Sequence, residues 1–78
     1  MYYVYILHLV DGTHYIGYSA DLRSRISAHR TGSVPQTREK RPLELIYYSA
    51  FTTKMKALEF EAYLKTGSGF AFRNRHLL

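Results

Sequence analysis

Cysteine is absent from this 78-residue sequence, which excludes a disulfide framework and any metal site built from thiolates. No apolar stretch approaches the roughly 20 residues that a membrane-spanning helix needs. The residues after Met1 are Tyr2, Tyr3 and Val4, where a signal peptide would carry basic residues. These absences predict a soluble protein of the reducing cytoplasm.

Acidic residues are also few, with six Asp and Glu against eleven Lys and Arg, for a net charge of +5. Such a balance favours a polyanionic partner, although a small domain also uses charge of this size for solubility. The distribution favours nucleic acid, because residues 21–41 contain only two acids, Asp21 and Glu39. The basic residues in that segment are Arg23, Arg25, Arg30, Arg38, Lys40 and Arg41.

The short length predicts one domain, residues 1–78, with a simple core. Two β-rich segments, residues 2–10 and 14–18, flank an Asp-Gly turn and are expected to pair antiparallel. Period-2 alternation places Tyr15 and Gly17 on one face of the second strand. Tyr5 lies on a strand beside them, so two phenols could converge on one site.

The rest of the chain is expected to contain helices, a loop and a third strand. Residues 19–21 can cap a helix that runs to about His29 or Arg30, and residues 43–51 have β character. Residues 31–42 form a polar loop. A second helix over residues 54–65 is expected to face the core with Met55, Leu58 and Ala62.

A glycine-rich stretch, residues 66–69, is expected to end that second helix. A last helix over residues 70–76 would pack its phenylalanines inward and leave Arg73, Arg75 and His76 in solvent. The order β-β-α-β-α-α predicts an α+β fold, a small three-stranded antiparallel sheet flanked by helices.

Arg25 and His29 lie one helical turn apart, so both side chains can reach one place. The planar donor fork of arginine matches phosphate oxygens. The alternatives are a salt bridge from Arg25 to Glu61 or Asp21, and a purely structural histidine. Gly17 lets a phosphate or a backbone come close, or it marks a bulge or strand end.

On the second helix Glu61 flanks the core stripe, whereas Glu59 lies farther around. An ion pair between Glu61 and Lys65, worth about 0.2–0.5 kcal/mol, is the structural alternative for Glu61.

Together these residues resemble a known family. Tyr15-Ile16-Gly17 matches the second motif of the GIY-YIG nucleases, and Tyr5 keeps the tyrosine of the first, although Tyr3 and Val4 replace its Gly and Ile. The pattern continues through Arg25, His29 and an Ala-Leu-x-x-Glu segment ending at Glu61, which spans most of the chain.

The resemblance implies a metal-dependent endonuclease that hydrolyses DNA strands. In that mechanism Tyr5 or Tyr15 takes a proton from water, Arg25 neutralises the developing charge, and His29 moves protons or binds phosphate. Glu61 would hold one divalent ion, Mg²⁺ or Mn²⁺, and a single carboxylate suits Mg²⁺ because that ion keeps several waters.

Nucleic acid would be contacted by one glycine and five basic residues, Gly17, Arg23, Arg30, Arg38, Lys40 and Arg41. The loop over residues 31–42 is then a phosphate-binding arm, or else an ordinary solvated charge run. Two rival functions remain open: a nucleic-acid-binding module without turnover, and an interaction or scaffold domain.

Overall fold

The computed structural model describes all of residues 1–78 and has the predicted element order. Its strands are β1 (Tyr2–His8), β2 (His14–Ser19) and β3 (Glu44–Phe51). Its helices are α1 (Leu22–Thr31), α2 (Lys54–Leu64) and α3 (Gly67–His76), and a 3₁₀ turn spans Arg38–Lys40. The sheet order is β2-β1-β3 with both pairings antiparallel, which confirms the α+β prediction.

The central strand β1 is buried on both faces, because its residues are apolar or aromatic almost throughout. Tyr5 and Leu7 face α1, and they pack with Ile26 of that helix. Val4 and Ile6 face the opposite side, where α2 and α3 contribute most of the cover. The sheet is therefore the middle of three layers, and Tyr5 lies in the layer that α1 covers.

Helix α1 begins and ends as the sequence predicts. The Asp21 carboxylate accepts a hydrogen bond from the Ser24 N–H at 3.1 Å, and Gly32 follows the last turn in the left-handed conformation. Ile26 and His29 are the buried residues of α1. This arrangement carries His29 onto the ring of Tyr5.

The predicted core side of α2 is wrong. Met55 is 71% exposed, and Leu58 and Ala62 are also exposed. The residues that pack inward are Ala57, Phe60 and Leu64. Apolar residues occur on both sides of α2, so their spacing did not determine which side meets the sheet.

The glycine-rich stretch begins α3 instead of only ending α2. Thr66 caps the new helix, since its hydroxyl oxygen accepts from the Gly69 N–H at 3.1 Å. A Cβ on Gly69 would overlap the backbone carbonyl of Tyr63. Glycine at this position therefore lets α3 start directly against the end of α2.

Two side chains of α3 have the reverse of their predicted exposure. Arg73, predicted to be in solvent, is 8% exposed, and Phe70, predicted to pack inward, is 52% exposed. The Phe70 ring instead covers the Arg73 guanidinium, whose central carbon lies 4.4 Å from the ring centroid.

None of the helices combines the length and the apolar character required to cross a membrane.

Candidate active site

The site is centred on the pairing of Tyr5 with Gly17 across β1 and β2. The phenol of Tyr5 lies over Gly17, and a Cβ at residue 17 would overlap that ring. Glycine here makes room for Tyr5, which has no exposed surface. Contact between Gly17 and nucleic acid stays a prediction.

A buried hydrogen-bonded chain holds Tyr5 in place. The Tyr5 hydroxyl lies 2.8 Å from Nε2 of His29, and Nδ1 of His29 lies 2.8 Å from Oγ1 of Thr37. All three residues are fully buried. The Tyr15 ring stands edge-on to the His29 ring, with centroids 5.1 Å apart. The hydrogen-bonded chain thus links β1, α1 and the loop that follows α1, and the Tyr15 ring adds a contact from β2.

The His29 ring is neutral at physiological pH. Burial, aided by the Arg25 charge, lowers the pKa of His29 from 6.5 to about 4. A neutral imidazole has one donor and one acceptor nitrogen, and both are already used. This geometry favours a role in orienting Tyr5 over the contact with a phosphate that the resemblance offered as an alternative.

Arg25 lies beside both phenols. The neighbouring Tyr5 phenol is the main cause of a raised pKa of the guanidinium, and Tyr15 adds to the same effect. Burial raises the pKa of Tyr5, and the neighbouring Arg25 opposes that rise. The two ion pairs of the protein are Lys40–Asp11 and Lys65–Glu61, so Arg25 makes neither salt bridge considered from its sequence position.

Glu61 lies at the edge of this group, with a side chain that is 19% exposed. Burial is the main cause of the raised pKa of Tyr5, and the charge of Glu61 is the smallest contribution to it. The i,i+4 ion pair with Lys65 is present at 3.2 Å. Glu59 is exposed on the outer side of α2, beside Met55 and Leu58.

The donor set can be tested against a divalent cation. No group of three or more His, Cys, Asp or Glu is arranged to hold a metal ion. Such a cage is unnecessary for Mg²⁺, which is bound through one or two carboxylates together with water and phosphate oxygens. Glu61 fits that requirement, provided that Lys65 moves aside.

The other basic residues do not join this group. Arg23 and Arg30 lie on the opposite side of α1 from Arg25 and line a groove of about 680 Å³ that also contains Tyr3 and Tyr48.

The loop over residues 31–42 is tied to the protein by its own basic residues. Arg38 donates to the Gly32 carbonyl at 2.9 Å, and Arg41 donates to the Arg38 carbonyl at 2.9 Å. Lys40 lies 3.6 Å from the Asp11 carboxylate. The loop is therefore an ordered support for Thr37, and phosphate contacts by these three side chains remain a prediction.

The burial of Thr37 and Arg73 was not predicted. A threonine in a polar loop carries no periodic signal, and its burial results from the fold of the loop around Val34 and Thr37. Arg73 belongs to a helix whose orientation depends on Gly69.

Protonation of His29 is expected to destabilise the fold. Its pKa is about 4 in the folded protein against 6.5 in the unfolded chain, so the unfolded chain binds the proton more tightly. Stability is full above pH 6.5 and falls as pH decreases toward 4, by about 3 kcal/mol in all.

Thermal melts of wild type and His29→Gln between pH 7 and 5 test this expectation. The variant should lose most of the pH dependence in that window. His76→Gln, a change at an exposed histidine, is the control and should keep it. Parallel curves for wild type and His29→Gln would contradict the assignment.

Comparisons with known proteins show the family of this chain. Residues 1–74 match the GIY-YIG catalytic domain. The chain is 42% identical over 64 residues to a UPF0213 protein of Streptococcus pneumoniae, covering 81% of this chain and 65% of that protein. It is 41% identical over 66 residues to a UPF0213 protein of Bacillus pumilus, covering 83% and 67%. The matched part thus spans about two thirds of the length of these relatives.

A solved structure is also similar. The solution NMR structure of a UPF0213 protein of Bacillus halodurans superposes with a TM-score of 0.61 at 35% identity, covering 96% of this chain and 82% of that one. The match over residues 1–74 includes both tyrosine strands, Arg25, His29 and Glu61. The chain belongs to the GIY-YIG family.

Proposed function

We propose that this chain is a metal-dependent phosphodiesterase that hydrolyses DNA strands and acts as a single domain over residues 1–78. One observation carries the proposal: Arg25 lies beside two phenols and a neutral histidine, without a carboxylate partner. An arginine without an acidic partner at a half-buried site is suited to an anion that arrives with the substrate.

Tyr15 is the phenol that solvent reaches, because it is half-buried and lines an open cavity, whereas Tyr5 is fully buried. We therefore assign to Tyr15 the removal of a proton from the attacking water. Such a positioned base contributes about 10²- to 10⁴-fold to a rate. Arg25 adjoins the Tyr15 phenol, so its positive charge lies beside the group that would carry the proton.

Arg25 would also hold the non-bridging oxygens of the phosphate as negative charge builds on them. The buried Tyr5–His29–Thr37 chain holds the Tyr5 phenol, which lies beside the guanidinium. Glu61 would hold Mg²⁺ or Mn²⁺, which when bound supplies Lewis-acid assistance to the phosphate and the leaving oxygen. Lys65 would then release the Glu61 carboxylate.

The rival proposal is a nucleic-acid-binding module without turnover, and the Glu61–Lys65 ion pair favours it because it occupies the only carboxylate at the site. Incubating linear and branched DNA with the protein in Mg²⁺, Mn²⁺ or EDTA separates the two. Cleavage only with metal supports the enzyme. Salt-dependent binding without cleavage supports the module. A protein that neither binds nor cleaves DNA would contradict both proposals.

Tyr15→Phe is expected to lower the cleavage rate, whereas Tyr5→Phe is expected to lower the stability of the fold. Tyr15→Phe should melt near the wild-type temperature and lower the single-turnover cleavage rate by about 10²- to 10⁴-fold. Tyr5→Phe leaves buried Nε2 of His29 without a partner, which costs about 1–3 kcal/mol. Its melting temperature should therefore fall by several degrees.

Single-turnover kinetics and thermal melts of the two variants provide the measurement. Cleavage at the wild-type rate by Tyr15→Phe, together with a large kinetic loss in Tyr5→Phe, would move the base to Tyr5 with His29 as its proton acceptor.

A further inference from the structure

Arg73 is a buried cation without a partner. The residue is 8% exposed, and its Nε and Nη1 atoms have no hydrogen-bond acceptor. Neither ion pair of the protein involves it. Removing a guanidinium from water without an acceptor costs several kcal/mol, unless an anion binds it for part of the time. The ring of Phe70 offsets only a fraction of that cost.

The guanidinium borders a cavity that is open to solvent. This cavity has a volume of about 500 Å³ and adjoins the proposed site through Tyr15. Lys65 and Gln36 also line it, and each brings donors, whereas no acidic side chain does. The charge of Arg73 acts on His14 at the same cavity, and it is the second cause, after burial, of the lowered pKa of His14. The cavity is thus lined by donors and positive charge.

We propose that Arg73 and this cavity form an anion site for a nucleic-acid phosphate neighbouring the one under attack. The proposal rests on the proposed function, since Tyr15 links the cavity to the catalytic residues. A phosphodiester offers the two acceptor oxygens that a guanidinium fork recognises, and Lys65 adds a point charge beside it. Movement of Lys65 from Glu61 toward this phosphate would also free the proposed metal ligand.

The structural alternative is that Arg73 only fills space between α3 and the sheet. Arg73→Met separates the two, because methionine keeps an unbranched stem near Phe70 and removes the charge. Arg75→Met is the matched control, an exposed arginine on the same helix that does not line the cavity. In phosphate-free buffer Arg73→Met should melt at or above the wild-type temperature, since a buried unpaired charge is gone.

Inorganic phosphate is the first probe. In the wild type it should shift the Arg73 Nε–Hε resonance saturably and raise the melting temperature, whereas chloride at equal ionic strength should do neither. The phosphate-dependent rise should vanish in Arg73→Met and persist in Arg75→Met. A wild-type resonance that does not respond to phosphate overturns the proposal, even if Arg73→Met fails to fold.

Duplex DNA is the second probe. Affinity should fall about tenfold in Arg73→Met, as expected for one charge-assisted contact. The slope of log affinity against log salt should become shallower by about 0.9. An unchanged slope, or an equal change in Arg75→Met, overturns the nucleic-acid assignment. Both probes measure binding, so intact responses in a protein that cleaves nothing would contradict the proposed nuclease and leave the anion site standing.

Discussion

Arg25→Lys is expected to cleave DNA about 10²- to 10³-fold more slowly than the wild type while keeping its fold and its affinity for DNA. The structure places the Arg25 guanidinium against the phenols of Tyr5 and Tyr15, without a carboxylate partner. A planar fork can contact a phenol and two phosphate oxygens together, whereas the ammonium of lysine is a single point charge. The loss should therefore fall on the chemical step.

Arg23→Lys is the matched control for that change. Arg23 is exposed on the opposite side of α1, where it lines the groove with Tyr3 and Tyr48. Its conversion to lysine should alter neither the cleavage rate nor the melting temperature. Arg25→Lys cleaving at the wild-type single-turnover rate would show that Arg25 contributes only charge.

Glu61→Gln is expected to lower metal-supported cleavage by about 10²- to 10⁴-fold, because Lewis-acid assistance is worth several kcal/mol and a neutral amide holds a hard cation poorly. Stability should change little. The Glu61–Lys65 pair involves a lysine whose side chain is 55% exposed, and such pairs contribute about 0–1 kcal/mol. DNA binding should persist or tighten slightly, since one negative charge is removed.

Glu59→Gln provides the comparison on the same helix. The Glu59→Gln substitution removes the same charge, but Glu59 lies on the exposed outer side of α2. The Glu59→Gln variant should cleave DNA at the wild-type rate. Equal losses of cleavage rate in the two variants would mean that the rate depends on the net charge of α2 and not on a ligand at residue 61. Unfolding of Glu61→Gln would mean that Glu61 stabilises the fold.

Local signals predicted the elements that hold the proposed site. Alternation in β1 placed Tyr5 correctly, and the antiparallel register brought it opposite Gly17. The Asp21 cap fixed the start of α1, so the spacing from Arg25 to His29 directed both toward the phenols. These features depend on residues close together in sequence, which is why patterns reveal them.

The wrong predictions concern residues whose burial depends on tertiary packing. Apolar residues on both sides of α2 left its inward face undetermined, and the structure selects the stripe of Ala57 and Leu64. The burial of Arg73 follows from the close approach of Gly69 to α2, a contact that composition does not reveal. Thr37 is buried by its hydrogen bond with His29, although the polar composition of its loop predicted exposure to solvent.

Single-turnover cleavage of one DNA substrate across a range of Mg²⁺ concentrations tests the central claim most directly. We expect the wild-type rate to rise and saturate with Mg²⁺ and to vanish in EDTA, while Glu61→Gln shows no saturable response over the same range. Wild-type cleavage that persists in EDTA, or a Glu61→Gln curve that overlays the wild type, would contradict the proposal that Glu61 and Arg25 form a metal-dependent phosphodiesterase site.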